Sequence, residues 1–446
     1  MTDAPVPDRP AVSISIPGDI PGDPGPRWRL RFYCVFGGQA LSLVGSALTQ
    51  FVLLWWITDT TGSATALGLA GMAILLPGAL LGPLGGTLAD RLSRRGLMIG
   101  ADLVSALTLG ALVALFASGG VELWHVYVAM ALRSAMQAVQ QPAAAASTAM
   151  LVPTAFVPRA AGMNQAVYGL MAVGAAPLGA TAMALLPLEA ALSIDIVTAL
   201  VALVPLAMFR IPQPRRPATT EEAAGGAAPG VWTDLREGVR VVWRDPGLVR
   251  LYGLMALVVA AILPTFTMTP LFVKEHFGGG AGEVALMEGL SGLGMLVGGG
   301  LAVAFVAPRP VRRVLWTFAL SCAAVTLAAA APPDMFSVAV AGWVLSGWAY
   351  AFGNAPLTAL LQTRIPNHLQ GRVLALLNTV VGLAAPVGLA AAAPLAEAFG
   401  VRAVFAGAGV VSALVCLAGY ASRPLLALDD APVVIATKPS DPALSA

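Results

Sequence analysis

Residues 82–95 read GPLGGTLADRLSRR, and this stretch decides the fold. It closes a long apolar run with four charged side chains, namely Asp90, Arg91, Arg94 and Arg95. A run of about 20 apolar residues is long enough to cross a membrane as a helix. Arginines directly after such a run favour the inner membrane surface. The stretch therefore predicts the inner end of a membrane-spanning helix.

The composition of the whole chain agrees with a membrane protein. Of its 446 residues, 58% are hydrophobic and only 11% are charged, whereas a soluble domain has about 25% charged residues. The mean hydropathy is +0.81. A soluble body of this size needs more charge to cover its surface, so the composition excludes a water-soluble globule.

Apolar runs bounded by charges or turn residues predict an all-α membrane protein with twelve transmembrane helices. The predicted spans are 30–57, 64–88, 96–118, 123–149, 158–184, 188–209, 248–273, 283–306, 311–331, 336–361, 371–397 and 402–423. They divide the chain into a disordered tail (1–29), a six-helix half (30–209), a linker (210–247), a second six-helix half (248–424) and a tail (425–446).

Apolar residues in the linker recur at helical spacing between Val231 and Trp243, with arginines on another row. This pattern predicts an amphipathic helix. Such a helix either lies on the inner membrane surface or simply connects the two halves.

The positive charges are distributed very unevenly between the predicted loops. Of the 25 Lys and Arg residues, 22 fall on one side of the membrane and only Lys274 and Arg402 on the other, while Arg133 lies within a span. Positive residues are enriched in cytoplasmic loops. We therefore expect both tails and the linker to be cytoplasmic.

The two halves repeat each other. Four residues near the end of the fourth span recur near the end of the tenth at offsets of 213 or 214: Pro142, Pro153, Arg159 and Asn164 match Pro356, Pro366, Arg372 and Asn378. The sequence at 85–89 also matches that at 298–302. Two pseudo-symmetric halves of common design are therefore predicted.

The stretch quoted first resembles the signature of the major facilitator superfamily, which is Gly, three residues, Asp-Arg, two residues and Arg-Arg. Ser93 stands where the signature usually has Gly. In that family the cluster latches the outward-facing state, which would assign this role to Gly86, Asp90, Arg91, Arg94 and Arg95. The alternative is that the arginines only orient the chain by charge.

Further stretches resemble the macrolide-efflux branch of that superfamily. They include Gly38-Gln39-Ala40, Thr61-Gly62-Ser63-Ala64, residues 98–103, Leu151-Val152-Pro153, Ile194-Asp195 and Gly371-Arg372-Val373. The resemblance implies proton-driven efflux of an amphiphilic drug or natural product, macrolide-like, by alternating access. Two alternatives stay open: a siderophore or other metabolite exporter of the same fold, and a non-transporting membrane sensor.

This fold builds its central cavity on helices one, four, seven and ten, so polar residues on those spans are candidates for its lining. They are Gln39, Ser42, Ser46, Gln50, Gln137, Gln141, Thr265, Thr269, Ser346, Tyr350 and Asn354. The alternative for the hydroxyl groups is that they bond to their own helix or join neighbouring helices.

Four charged residues fall inside predicted spans and are candidates for proton coupling: Asp102, Arg133, Asp195 and Glu288. A charge at mid-helix costs about 2.5–3.5 kcal/mol on insertion scales, so each needs a reason. We single out Glu288 with Arg133, because burial favours the neutral form of a carboxyl group and arginine can only tune it. Asp102 could instead support the latch, and a structural charge pair is the competing explanation.

Other functional classes find no support in the sequence. It has no nucleotide-binding loop of the Gly, four residues, Gly-Lys-Ser/Thr kind, which excludes a self-contained ATP-driven pump. Neither its three His nor its three Cys, Cys34, Cys322 and Cys416, show metal-ligand or disulfide spacing. The net charge of +2 does not indicate a nucleic-acid partner.

We therefore expect no enzyme, no cofactor and no metal. The expected partners are a small amphiphilic substrate, protons taken from a gradient, and the lipid bilayer. We also expect a monomer, multi-pass in the cytoplasmic (inner) membrane of a bacterium. The excess of Arg over Lys, together with abundant Ala, suggests a GC-rich bacterial genome.

Cysteine labelling tests the predicted topology. Single cysteines at Gly225 in the linker and Ser440 in the C-terminal tail should resist a membrane-impermeant maleimide in intact cells and react after permeabilisation. The three native cysteines are first replaced in both variants. Labelling of either position from outside would refute the topology.

Overall fold

The computed structural model describes residues 27–209, 211, 231–305, 308–365 and 367–430. These residues form helices and no strand. The helices are α1 (Trp28–Thr61), α2 (Ala64–Arg91), α3 (Arg94–Ser118), α4 (Leu123–Leu151), α5 (Val157–Leu185), α6 (Leu188–Met208), α7 (Val231–Arg244), α8 (Pro246–Phe277), α9 (Ala281–Ala304), α10 (Pro310–Ala330), α11 (Phe336–Arg364), α12 (Asn367–Phe399), α13 (Val401–Ala418) and α14 (Arg423–Asp430).

Twelve of these helices are long, six before the linker and six after it. Within the described residues, eleven are both long and apolar enough to cross a membrane. The twelfth long helix is α4, whose Arg133, Gln137, Gln140 and Gln141 lower its hydropathy. A helix buried inside a bundle can carry such groups because it does not face lipid along that side.

Short turns with suitable capping residues join consecutive helices. Between α1 and α2, Gly62 adopts a left-handed conformation with φ of 58°, and its N–H donates to the Thr58 carbonyl. Ser63 then accepts a hydrogen bond from the Ala66 N–H and caps α2. Gly at a helix end and Ser at the next helix start satisfy backbone groups that the helices leave unpaired. The two helices consequently run antiparallel as direct neighbours.

Because the spanning helices alternate in direction, the bundle has two distinct ends. We call the basic end the one that holds Trp28, the α2–α3 turn and Asp430. The opposite end holds the α1–α2 turn and the end of α8. All described Lys and Arg residues near helix termini lie at the basic end except Lys274 and Arg402.

The two halves meet along two helix pairs, α2 with α12 and α5 with α9. Glycines allow the close approach: a Cβ added to Gly292 of α9 would lie 2.2 Å from the Ala172 carbonyl oxygen of α5. The hydrophobic core is shared by both halves at the opposite end, where one cluster includes Phe51 and Phe272. At the basic end it divides into one cluster for each half. The halves therefore touch at the opposite end and separate towards the basic end.

Two short helices lie at the basic end outside the spans. Helix α7 occupies the part of the linker that was predicted to be amphipathic; it contacts α12, and its Val242 is buried in the C-terminal half. Helix α14 begins at the end of the last predicted span and extends into the predicted tail, for which the sequence predicts no helix. Leu425 and Leu428 of α14 are buried, and Asp429 accepts hydrogen bonds from the Val311 and Arg312 N–H groups, at 2.7 and 3.2 Å. The predicted N-terminal tail lies outside the described residues up to position 26.

Replacing a glycine at which two helices touch should destabilise the bundle, whereas replacing a glycine with open space around it should not. In Gly388→Ala the new Cβ would lie 1.8 Å from the Ala260 carbonyl oxygen, so the backbones of α12 and α8 must separate. Overpacking of this kind costs about 1–3 kcal/mol. Thermal unfolding in detergent should show a lower midpoint for Gly388→Ala. Gly407→Ala is the matched control, since nothing lies within 4 Å of its Cβ, and an equal loss in both variants would contradict the prediction.

Candidate functional site

A cavity of about 1190 Å³ lies between the two halves, where the hydrophobic core divides. Its walls come from α1 to α5 of the N-terminal half, with α3 contributing only Met98 among the described lining residues, and from α8 and α12 of the C-terminal half. The lining extends to residues near the basic ends of these helices, such as Phe32, Thr87 and Leu151. The cavity therefore reaches the basic end, while the opposite end is closed by packing.

The lining is mainly apolar, and none of the described residues that form it is charged. Its polar members are hydroxyl and amide side chains: Gln39, Ser42, Ser46, Thr87, Ser134, Gln137, Gln140, Gln141, Ser147, Thr148, Asn164, Tyr168, Asn378 and Thr379. Only the last two come from the C-terminal half. Most polar side chains of the described cavity wall therefore belong to the N-terminal half.

A smaller pocket of about 150 Å³ lies inside the N-terminal half and shares a wall with the cavity. The shared wall includes Ser42, Ser46, Gln137 and Gln140. Three charged residues line only the small pocket: Asp102, Arg133 and Asp195. The buried charge of this half is thus separated from the cavity by a layer of serine and glutamine side chains.

Asp102 on α3 is held by two amide side chains. Gln39 Nε2 donates to one carboxylate oxygen at 3.1 Å, and Gln140 Nε2 donates to the other at 2.6 Å. Gln140 Nε2 also lies 2.9 Å from Gln39 Oε1. Asp102 is only 3% exposed, and no ion pair involving it is found within the described part of the chain. The described partners of this carboxyl group are therefore neutral donors.

Arg133 on α4 forms an ion pair with Asp195 on α6 through Nη2 and Oδ2. Ser46 on α1 donates to the other carboxylate oxygen of Asp195 at 3.2 Å. Gly45 makes this contact possible, because a Cβ there would lie 2.2 Å from the Thr198 hydroxyl of α6. The pair links three helices of one half and compensates two charges that would be costly to bury alone.

Most of the predicted lining residues of the N-terminal half occupy the cavity wall. These are Gln39, Ser42, Ser46, Gln137 and Gln141, while Gln50 lines the small pocket. The helical spacing of three and four residues placed them on one face of α1 and α4, and that face is directed inwards.

The predicted lining residues of the C-terminal half do not line the cavity. Thr265 and Thr269 are fully buried and donate to carbonyls of their own helix, at 2.6 and 2.9 Å. Ser346 pairs with the Ser321 hydroxyl at 2.9 Å, between α10 and α11. The hydroxyl groups follow the alternative stated above, because a helix carbonyl is always within their reach.

Two further candidates on α11 also lie away from the cavity. Tyr350 stacks on Phe318 with ring centroids 5.6 Å apart. Asn354 is exposed.

Arg133 forms its ion pair with Asp195. It does not pair with Glu288, the residue that we singled out together with it. Glu288 lies on α9, half-buried, and lines neither the cavity nor the small pocket. Its neighbours Gly289 and Ser291 pack against α5 and α11 respectively. Sequence alone placed both charges inside spans but could not show which helices are adjacent.

Gln140 is the most informative residue that the sequence reasoning missed, since it touches both Gln39 and Asp102. It lies seven residues after Arg133 and therefore on the same helix face. Extending the row of Arg133, Gln137 and Gln141 by one neighbour would have included it.

The predicted latch is only partly described, because the side chains of Asp90 and Arg91 lie outside the described residues. Arg95 donates to the Leu206 and Ala207 carbonyls at the end of α6, at 2.5 and 2.6 Å. Arg94 donates to the Ala146 carbonyl of α4 at 3.2 Å. Cations at helix C-termini are favourable, so these arginines join helices of the N-terminal half at the basic end.

Close helix approach in the signature stretch comes from Gly85. A Cβ on Gly85 would lie 2.1 Å from the Ala138 carbonyl oxygen of α4. Gly82 and Gly86, in contrast, line the cavity and have nothing within 4 Å. They lie on the face of α2 that is turned towards the open space.

Comparison with known proteins finds relatives that are named as efflux proteins. The chain is 29% identical over 393 residues to macrolide efflux protein A of Streptococcus pyogenes, covering 88% of this chain and 95% of that protein. It is 25% identical over 375 residues to the multidrug efflux pump Tap of Mycolicibacterium fortuitum, covering 81% and 88%.

Solved structures share the fold at low sequence identity. A nucleoside transporter NupG mutant (D323A) has a TM-score of 0.68 at 14% identity, over 88% of this chain and 99% of that one. A bacterial homologue of the human lysosomal transporter Spinster, solved inward-facing and unoccupied, has a TM-score of 0.68 at 15% identity, over 91% and 97%.

The family model described as Major Facilitator Superfamily matches residues 35–383 and 312–438. That match spans both halves and the helices that build the cavity. The all-helical architecture, with six long helices on each side of the linker, agrees with it. The chain belongs to the Major Facilitator Superfamily.

Proposed function

We propose that this transporter exports an amphiphilic drug or natural product, macrolide-like, in exchange for protons. The observation that carries the proposal is the uncharged, mainly apolar wall of the large cavity. Apolar surface with a few hydrogen-bonding groups suits a ligand that is itself largely apolar with scattered polar atoms. A volume of about 1190 Å³ leaves room for a ligand larger than a nucleoside or a simple sugar.

The named relatives support export of drugs over the alternatives. Macrolide efflux protein A and the multidrug efflux pump Tap are both efflux proteins by name. An anionic siderophore would need a cation in the cavity wall, and the described lining contains none. A sensor that does not transport would have no need of an open cavity of this size between two separable halves.

We place the protein in the bacterial inner membrane with the basic end in the cytoplasm, following the distribution of positive charge. The cavity would then take up its substrate from the cytoplasm or the inner leaflet. Transport requires a second state, open at the opposite end, in which the basic ends of the halves meet. In that state the Asp90 to Arg95 cluster would act as the latch that the family resemblance implies.

Among the four charged residues inside spans, we propose Asp102 as the proton carrier. Arg133 and Asp195 already neutralise each other, and a guanidinium group does not release its proton at physiological pH. Among the described residues, the hydrogen-bond donors to Asp102 are the amides of Gln39 and Gln140, and these same amides face the cavity. A substrate that binds Gln39 or Gln140 would therefore act directly on the groups that hold the carboxylate. Glu288, which lines neither pocket, is the second candidate.

Transport in reconstituted liposomes tests the proposed function. With an imposed pH gradient, the protein should move an erythromycin-type macrolide and should leave a catecholate siderophore or a nucleoside untransported. Gly82→Phe should reduce macrolide transport at least about tenfold, equivalent to ~1.4 kcal/mol, because the ring enters open cavity space.

Gly253→Phe is the matched control for that variant. Gly253 also has nothing within 4 Å of its Cβ, but it lies outside the cavity lining. The control should transport like the parent. Movement of the siderophore but not the macrolide, or equal loss in both variants, would contradict the proposal.

Neutral substitutions separate proton coupling from structural charge pairing. Asp102→Asn should abolish gradient-driven efflux yet keep substrate counterflow, because the cavity wall stays intact while the proton carrier is lost. Asp195→Asn should instead lower the yield of folded protein, since leaving a buried partner unpaired costs about 3–5 kcal/mol.

The double variant Asp195→Asn with Arg133→Gln should restore folding, because it removes both charges together. Glu288→Gln serves as the comparison for Asp102→Asn. If Asp102→Asn retains proton-driven efflux while Glu288→Gln loses it, the coupling site is Glu288 and the assignment to Asp102 is wrong.

A further inference from the structure

Two charged side chains of the C-terminal half reach across to the N-terminal half at the opposite end. Lys274 comes from the last turn of α8, and Glu397 comes from the end of α12. Both contact the turn between α1 and α2. The two contacts therefore span the boundary along which the halves must part if the cavity is to open at this end.

Lys274 lies at the C-terminus of α1. Its Nζ donates to the Thr58 carbonyl at 3.3 Å, to the Asp59 carbonyl at 3.0 Å and to the Asp59 carboxylate at 2.9 Å. The carbonyl groups in the last turn of a helix carry partial negative charge and favour a cation. The ammonium group thus binds both the helix end and an acidic side chain.

Glu397 lies at the N-terminus of α2. One carboxylate oxygen accepts hydrogen bonds from the Ser63 hydroxyl at 2.6 Å and from the Thr65 N–H at 3.0 Å. Ser63 is the capping residue of α2, and Thr65 belongs to its first turn. The first N–H groups of a helix carry partial positive charge and favour an anion. A carboxylate from one half therefore completes the cap of a helix in the other.

The packing below these contacts depends on small residues. A Cβ on Gly68 of α2 would lie 2.6 Å from Ala393 Cβ of α12. A Cβ on Gly71 would lie 2.7 Å from Leu389 and 2.8 Å from Thr267 of α8. This seam is smooth and carries no interlocking side chains from α2 at these positions. Directional, charge-dependent contacts at its outer edge are then well placed to decide whether it stays closed.

We propose that Lys274 and Glu397 form an electrostatic clamp on the α1–α2 turn that holds the opposite end shut. Each charge occupies the helix terminus of the other sign, so the turn is held at both of its ends. The clamp is present only when the halves touch here, and it thereby biases the protein towards the state with an open basic end. This assignment requires neither a particular substrate nor proton coupling.

Distance measurements between two spin labels test the clamp. The labels are placed at Gly120→Cys, in the α3–α4 turn, and at Asp334→Cys, in the α10–α11 turn, after replacement of the native cysteines. Both positions are exposed at the opposite end, one in each half. Glu397→Gln and Lys274→Gln should each raise the population with the longer distance about three- to tenfold, and the double variant more.

Two matched controls make the same kind of contact within one half. Glu283 accepts from the Gly280 N–H at the start of α9, at 2.8 Å. Arg402 donates to the Ala329 carbonyl at the end of α10, also at 2.8 Å. Glu283→Gln and Arg402→Gln should leave the distance distribution as in the parent, because these contacts do not cross between the halves.

The proposal is overturned if Glu397→Gln and Lys274→Gln change the distances no more than the controls do. If a variant fails to fold, the clamp is tested in the spin-labelled parent protein by raising the salt concentration. The clamp is exposed, so raising NaCl to about 1 M should screen it and populate the longer distance; an unchanged distribution would refute the clamp. Failure of macrolide transport would leave this result unaffected, since no substrate is present.

Discussion

Hydrocarbon around the bundle offers no hydrogen-bond partners, so polar groups inside the helices must find them within the protein. This constraint explains the arrangement of the buried charge. Arg133 is neutralised by Asp195, and Asp102 is held by two glutamines. All these groups lie in the N-terminal half. The halves repeat each other in sequence and in helix order, yet among the described residues the connected polar network next to the cavity belongs to the N-terminal half.

The same constraint made most of the fold predictable. Membrane thickness fixes the length of a span and the charge distribution marks its ends, so the predicted spans agree with the helices except for a few residues at their termini. On α1 and α4 the sequence also indicated which residues line the cavity wall. Amides such as Gln39 and Gln137 cannot be satisfied by one carbonyl of their own helix, so an inward polar face was the consistent interpretation.

The site features that could not be predicted depend on contacts between helices. The spacing of residues within one helix gives no information about those contacts. Thr265 and Ser346 had the same helical spacing as true lining residues, but a hydroxyl is satisfied by a nearby carbonyl or hydroxyl. The partner of Arg133 was unpredictable because Asp195 and Glu288 are both intramembrane acids, and only the packing of α4 against its neighbours distinguishes them. Gly85, not Gly82, packs tightly because of how α2 is rotated in the bundle.

The uncharged wall has a consequence for how such a protein changes over generations. Apolar contacts tolerate changes in the ligand, because one methylene more or less alters its binding free energy by about 1–3 kcal/mol. Amide side chains also tolerate such changes, because they can either donate or accept a hydrogen bond. A single substitution in the wall would therefore shift the range of compounds handled by modest factors without eliminating it. Such a surface can be retuned in small steps under selection, whereas a charged, stereospecific site would lose its old ligand before acquiring a new one.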